Sequence, residues 1–162
     1  MAYQDDIKKA AALLLPWNKL SGCNILVTGA TGLIGGCLVD VLMAHKGRNY
    51  NVYASGRNEE RAGRRFLKYA DDNAFHFVKY DVAQPLEYDV NFQYIIHAAS
   101  GAYPEEFIKH PVEVIKGNIN GLDNLMGYGI QHGIKRLLYI SSGEVYGEGC
   151  LLYTSPSPRD CS

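Results

Sequence analysis

The segment Thr28-Gly-Ala-Thr-Gly-Leu-Ile-Gly35 spaces Gly29, Gly32 and Gly35 as GxxGxxG, directly behind the apolar run Asn24-Ile-Leu-Val-Thr28. Glycines there suit a tight turn, close approach of the backbone to a pyrophosphate, and close packing of a helix on a strand. If a helix opens at this turn, the N–H groups around Thr31, Gly32, Leu33, Ile34 and Gly35 become donors for an anion. The pattern therefore predicts a dinucleotide site; its plain alternative is a glycine-rich turn without a ligand.

Further candidates stand behind the other apolar runs. An acid at the end of a second strand normally holds the ribose hydroxyls of NAD. Here the chain reads Ala54-Ser-Gly-Arg57, with no acid. Ser55 and Arg57 suit a 2′-phosphate instead, which tilts the cofactor from NAD toward NADP, while Arg57 reads equally well as a solvated helix-start residue. Asp81-Val82 follows the third run; Asp81 is a candidate acceptor for an adenine amino group or a turn residue at the surface. His97-Ala-Ala-Ser100 ends the fourth run, and Ala98, Ala99 and Ser100 are small enough for a flat cofactor to lie against the backbone. His97 itself reads as a packed strand-end histidine. Asn118 and Asn120 read as solvent-facing amides or as a buried amide fixing a water or a loop. Tyr139-Ile-Ser-Ser-Gly-Glu-Val-Tyr-Gly147 carries Ser141 and Ser142. A hydroxyl here could orient a substrate oxygen beside a nicotinamide, although a Ser-Ser pair is also an ordinary cap or turn.

The elements that must position these residues follow from hydrophobic spacing. Residues 3–15 have a helical pattern (Ile7, Ala10, Ala11, Leu14) stopped by Pro16, with Trp17 and Leu20 able to pack it onto a domain. Strands are predicted at 24–28, 52–54, 75–78, 94–97 and 136–141. Helices are predicted at 33–45, from Asn58 to about Tyr69, and from Pro111, where Ile115, Ile119, Leu122, Met126 and Ile130 line one face. Strands alternating with helices imply βαβ units and a parallel sheet, in which ligands bind just beyond the carboxyl ends of the strands.

The 162 residues match the size of one domain, and 47% hydrophobic with 20% charged residues is a globular composition. A net charge of −1 offers no basic face to nucleic acid. No apolar run is long enough to span a bilayer and no leader pattern precedes Ala10–Leu15, so a cytoplasmic protein with no membrane partner is expected. Cys23, Cys37, Cys150 and Cys161 show no metal-binding spacing. From Cys150 the chain reads CLLYTSPSPRDCS. This has the composition of a Ser/Pro-rich tail, but residues 150–160 also match in one frame the translation of a transposase adapter used in making sequencing libraries. Residues 150–162 are therefore expected to be non-native, with the natural sequence running to Gly149.

TGATGLIG, Asp81-Val82, HAAS, Asn118-x-x-Gly121 and SSGEVYG, in this order over roughly residues 23–147, together resemble the extended short-chain dehydrogenases/reductases, the NAD-dependent epimerases and dehydratases. The stretch His97, Ala99, Ser100, Pro104, Phe107, Pro111, Lys116 and Asn118 is similar to the matching segment of UDP-glucuronate decarboxylases, and dTDP-glucose 4,6-dehydratases share much of it. The resemblance implies a Rossmann-type doubly wound parallel sheet over residues 23–149, incomplete after its fifth strand, behind an N-terminal helical extension at 1–22. It implies NAD or NADP as cofactor, a nucleotide-sugar substrate oxidised transiently at C4, and a homodimer. Catalytic roles pass by the same resemblance to Ser142, four residues before Tyr146, and to Glu144 at the sugar. The family's acid/base is a Tyr with Lys four residues on, both on one helix face, placed some way beyond the VYG motif. Neither Tyr146 nor Tyr153 has that lysine, and the last lysine is Lys135. The chain alone is therefore expected to be inactive; a dinucleotide-binding sensor of the same fold is the alternative.

Overall fold

Five short apolar runs become strands: β1 (Asn24–Thr28), β2 (Asn51–Gly56), β3 (Phe75–Lys79), β4 (Tyr94–His97) and β5 (Arg136–Tyr139). In the computed structural model, which describes residues 2–100 and 104–142, they form one sheet of order β3-β2-β1-β4-β5 with every pair parallel. The central strands β1, β2 and β4 are apolar almost throughout because the middle of a parallel sheet is covered on both faces, while the edge strand β5 is largely exposed. Alternate residues serve alternate faces. Ile25, Val27, Val52 and Ala54 meet α2 (Leu33–Ala44) and α3 (Glu59–Phe66) through Val39, Leu42, Met43, Ala62 and Phe66. Leu26, Tyr53, Val78 and Ile95 meet Phe92 and the Leu125 and Tyr128 side chains of α5 (Pro111–His132). The doubly wound parallel sheet is the predicted one, and its order reverses between β1 and β4, where such sheets open a ligand crevice.

The N-terminal helix α1 (Ala2–Ala11) is shorter than the predicted 3–15. Pro16 disfavours helical backbone before it, and the last carbonyls find other donors: His45 Nδ1 lies 3.0 Å from the Ala11 oxygen and Trp17 Nε1 donates to Leu13. Leu14, expected on the packed face, is instead fully exposed, while Ile7 and Ala11 are buried. Trp17 and Leu20, in a 3-10 turn, do pack against the core as expected. The fixed point of α1 is Asp40 of α2, wholly buried, whose carboxylate accepts from Tyr3 (2.6 Å), Arg65 (2.6 Å) and Tyr69 (2.9 Å) and pairs with Lys68 (2.9 Å). Burial alone would raise its pKa; the hydrogen bonds from Arg65, Tyr3, Lys68 and Tyr69 outweigh that and hold it at about 2.

Three smaller corrections concern helices and a strand end. The charged helix after β2 closes at Phe66 and continues as a 3-10 turn, and β5 stops at Tyr139 rather than Ser141. A short helix, α4 (Pro104–Lys109), precedes α5 and was not predicted. The larger difference is the face of α5. The stripe expected to pack is turned outward, with Ile119 63% and Ile130 79% exposed, and the sheet receives Val114, Gly121, Leu125, Tyr128 and Gly129. The helix carries two apolar stripes, and only the one containing glycines lets its backbone approach the strands. A Cβ at Gly121 would stand 3.1 Å from Val82 Cγ2 and 3.5 Å from His97 Nε2.

Candidate functional site

The three glycines behind β1 perform three different tasks. Gly29 has φ +66, and a Cβ there would lie 2.5 Å from the Ala98 oxygen and 2.7 Å from Ala99 Cα. The turn thus rests directly on the end of β4, which only glycine permits. A Cβ at Gly35 would lie 2.4 Å from the Gly29 oxygen, so the first turn of α2 is seated on the loop. Gly32 is exposed and caps α2 with extended backbone and no side-chain bond. Its carbonyl accepts from Gly36, the first bond inside the helix. The N–H groups of Leu33, Ile34 and Gly35 therefore precede any acceptor in α2, and no acidic residue stands in its first turn. An uncompensated positive helix end faces the crevice between β1 and β4, an environment suited to an anion such as a pyrophosphate.

The remaining candidates stand just beyond the strand ends, as the fold requires. Ser55 is an exception to its predicted role. It is 1% exposed and its hydroxyl is closed off from solvent without a hydrogen-bond partner among the described residues. Two residues from the buried Tyr53, it shares that side of β2 and faces the interior, so it cannot reach a phosphate at the surface. Arg57 is exposed and has no hydrogen-bond or ion-pair partner among the described residues. Asp81 is exposed, and its Oδ1 accepts from the Ala83 N–H at 3.1 Å, the geometry of a turn residue. Val82 is half-buried against Gly121, and its carbonyl accepts from Asn124 Nδ2 at 2.9 Å. Sequence reasoning passed over Asn124; its signal was a position one turn beyond Gly121, on the same side of α5.

His97 is buried and its Nδ1 lies 2.7 Å from Thr28 Oγ1, which joins the ends of β1 and β4. Burial pushes its pKa below the ordinary imidazole value, so the ring is neutral at neutral pH. Its Nε2 has no hydrogen-bond partner among the described residues and lies toward Gly121. This is the packed strand-end histidine expected. Ala98 and Ala99 are half-buried at the crevice and Ser100 is exposed. Asn118 is half-buried on α5 and Asn120 faces solvent. Ser141 and Ser142 are exposed just after β5; Glu144 and residues 150–162 lie outside the described residues. Among the described residues no group of three His, Cys, Asp or Glu is placed to hold a metal, and no helix is long and apolar enough to cross a membrane.

Comparison with known proteins agrees with this geometry. Residues 25–159 match the NAD dependent epimerase/dehydratase family. UDP-glucuronic acid decarboxylase 6 of Arabidopsis thaliana is 34% identical over 131 residues, covering 79% of this chain and 36% of the relative. UDP-glucuronic acid decarboxylase 1 of Danio rerio is 32% identical over 126 residues, 76% of this chain and 28% of the relative. The chain thus spans about a third of the length of these curated relatives. Among solved structures, a UDP-glucose 4-epimerase from Stenotrophomonas maltophila with bound NAD and formylated UDP-arabinopyranose superposes with TM-score 0.63 at 25% identity, covering 77% of this chain and 38% of that one. The UDP-Glc/GlcNAc 4-epimerase of Campylobacter jejuni, at TM-score 0.68 and 21% identity over 85% of this chain and 42% of its own, shares the fold. A glycine turn pressed on β4, an uncapped α2 and this family match over most of the sequence lead to one conclusion: the chain belongs to the NAD-dependent epimerase/dehydratase family of extended short-chain dehydrogenases/reductases.

Proposed function

We propose that this chain forms the dinucleotide-holding part of an enzyme that acts on nucleotide sugars by transient oxidation at sugar C4. The observation that carries this reading is the uncapped N-terminus of α2, held open by Gly29 against Ala98 and by Gly35 against Gly29. The backbone N–H groups of Leu33, Ile34 and Gly35 bind the pyrophosphate, and Ala98, Ala99 and Ser100 leave room for the cofactor along the end of β4. Asp81 accepts from the adenine amino group, Val82 lies beside it, and Asn118 and Ser141 complete the wall of the crevice. When bound, the nicotinamide supplies a hydride acceptor at C4 of the sugar, the step that precedes epimerisation, loss of water or loss of CO2. Ser142 orients the C4 oxygen, and the family resemblance gives Glu144 a role toward the sugar. Arg57 favours NADP over NAD.

None of the chain's tyrosines is followed four residues later by lysine, so no phenol is paired for proton transfer. The 162 residues are expected to bind dinucleotide without turning over a nucleotide sugar. The test is calorimetric titration with NADPH and NADH, beside an absorbance assay with UDP-glucuronic acid. Saturable dinucleotide binding without turnover supports the reading, and turnover or an absence of binding refutes it. The same missing pair favours a second reading, a dinucleotide-binding sensor; a Tyr-x-x-x-Lys encoded beyond Gly149 in the gene would decide for the enzyme. The outward stripe of α5, with Ile115, Ile119, Met126 and Ile130 exposed, supports a homodimer in which two copies pair these helices. A cytoplasmic location completes the proposal.

A further inference from the structure

We propose that Leu13-Leu14-Leu15 and the cations around them form a surface that docks on an anionic lipid membrane. The chain turns outward beyond the end of α1, leaving Leu14 fully exposed and Leu13 and Leu15 more than half exposed. Consecutive leucines in water are unfavourable unless something covers them. The turn also pairs backbone groups that would otherwise need water. The Leu15 N–H donates to the Leu13 carbonyl at 2.8 Å, the Trp17 N–H to the Leu15 carbonyl at 2.7 Å, and Trp17 Nε1 to the Leu13 carbonyl at 2.9 Å. Such self-pairing is what an apolar medium demands of a backbone.

The charge around the leucines has one sign. Trp17 stacks on His45 with ring centroids 4.3 Å apart, His45 Nδ1 lies 3.0 Å from the Ala11 oxygen, and the Gly22 N–H donates to the Asn49 carbonyl at 2.6 Å. Residues 7–23 and 41–52 therefore lie side by side, and they carry Lys8, Lys9, Lys19, Lys46 and Arg48 with no Asp or Glu. Asp6 pairs with Lys9 and Asp72 with Arg48, while Lys8, Lys19 and Lys46 are exposed without an ion-pair partner among the described residues. A second copy of this surface would bring like charges together, and a folded partner would need a pocket for leucines that project outward. Hydrocarbon beneath anionic headgroups supplies both the apolar phase and the opposite charge. The surface lies at the amino edge of the sheet, where Trp17–Leu20 leads into β1 and His45 toward β2, so docking leaves the crevice beyond the carboxyl ends open. The expectation of no membrane partner rested on the lack of a run long enough to cross a bilayer, and a surface contact needs none.

The full chain is mixed with vesicles of phosphatidylcholine alone, or of equal parts phosphatidylcholine and phosphatidylglycerol. Binding is read by co-sedimentation and by the emission of the single tryptophan, Trp17, beside the leucines. The wild type is expected to bind the anionic vesicles at least about tenfold more tightly than the neutral ones, the scale of a few cations at a charged surface. Its Trp17 emission should shift to shorter wavelength, and binding should fall away at about 0.5 M salt. Leu14→Asp should weaken binding at least about tenfold, as should Lys8→Glu combined with Lys46→Glu. Ile108→Asp, at another exposed apolar position, on α4, should bind like wild type, with circular dichroism confirming the fold of each variant. No wild-type binding, equal binding to the two vesicles, or full binding by Leu14→Asp overturns the proposal. So does self-association in analytical ultracentrifugation without vesicles that Leu14→Asp abolishes, because the leucines then belong to an interface between copies. Each of these outcomes leaves the dinucleotide reading to its own titration with NADPH.

Discussion

Replacing Asp40 with Asn keeps the size of the side chain and removes the buried negative charge on which Tyr3, Arg65, Lys68 and Tyr69 converge. The carboxylate is held near pKa 2 against an ordinary 3.8, a depression on the order of 2–3 kcal/mol of stability at neutral pH. A second route gives a similar size. Removing one partner of a fully buried ion pair costs about 3–5 kcal/mol, but Arg65 and Lys68 keep 30% and 39% of their side-chain area in water, so the loss should fall at or below the bottom of that range, about 2–3 kcal/mol. Because the fold lowers this pKa, the contribution is complete above about pH 4 and fades as the pH falls through about 2. Urea unfolding, followed by circular dichroism and by the fluorescence of the single tryptophan, Trp17, measures it. Asp40→Asn should lower stability by about 2–3 kcal/mol at pH 7, and the gap should narrow markedly by pH 2.5. A variant within about 0.5 kcal/mol of wild type at pH 7, or a gap that does not change with pH, would refute the electrostatic origin of this anchor.

Gly29→Ala forces an L side chain into φ +66 and drives its Cβ to 2.5 Å from the Ala98 oxygen; it should cost more than about 2 kcal/mol in a thermal melt and abolish dinucleotide binding, and a melt like wild type would contradict the contact. His97, with its pKa lowered by burial, should remain neutral in histidine nitrogen NMR through the range near pH 6.5 where a free imidazole protonates. Stability should then decline as pH drops below that value, because the unfolded ring takes up the proton more readily. Ile119→Glu should convert a dimer into a monomer in light scattering and remove the concentration dependence of the melt, and a wild-type chain that stays monomeric at every concentration would remove the case for pairing through α5.

The central strands and the glycine turn were legible because their signals are local. Asn24–Thr28 and Tyr94–His97 are short apolar runs with nothing to confuse their ends, and the spacing of Gly29, Gly32 and Gly35 encodes a turn, a cap and a packing contact within one segment. What was misread depends on partners distant in sequence. Ile115, Ile119, Met126 and Ile130 form as good a stripe as Val114, Leu125 and Tyr128, and the deciding feature is the small size of Gly121 against Val82 and His97 and of Gly129 against Ile134, which a hydropathy pattern ignores. Ser55 could have been placed by alternation, since it lies two residues from Tyr53 on the same side of the strand. The contact of Trp17 with His45 and the four donors around Asp40 join segments that only the folded chain brings together.

The most direct test of the site is a two-dimensional amide NMR titration of the full chain with NADPH. The α2 N-terminus as the pyrophosphate site requires the largest shifts at the backbone amides of Gly32, Leu33, Ile34 and Gly35, with smaller ones at Thr31, Arg57 and Ala98. Saturating NADPH that leaves the amides of residues 32–35 unmoved, or that shifts only residues far from the carboxyl ends of β1 and β4, would contradict the assignment of this crevice as the dinucleotide site.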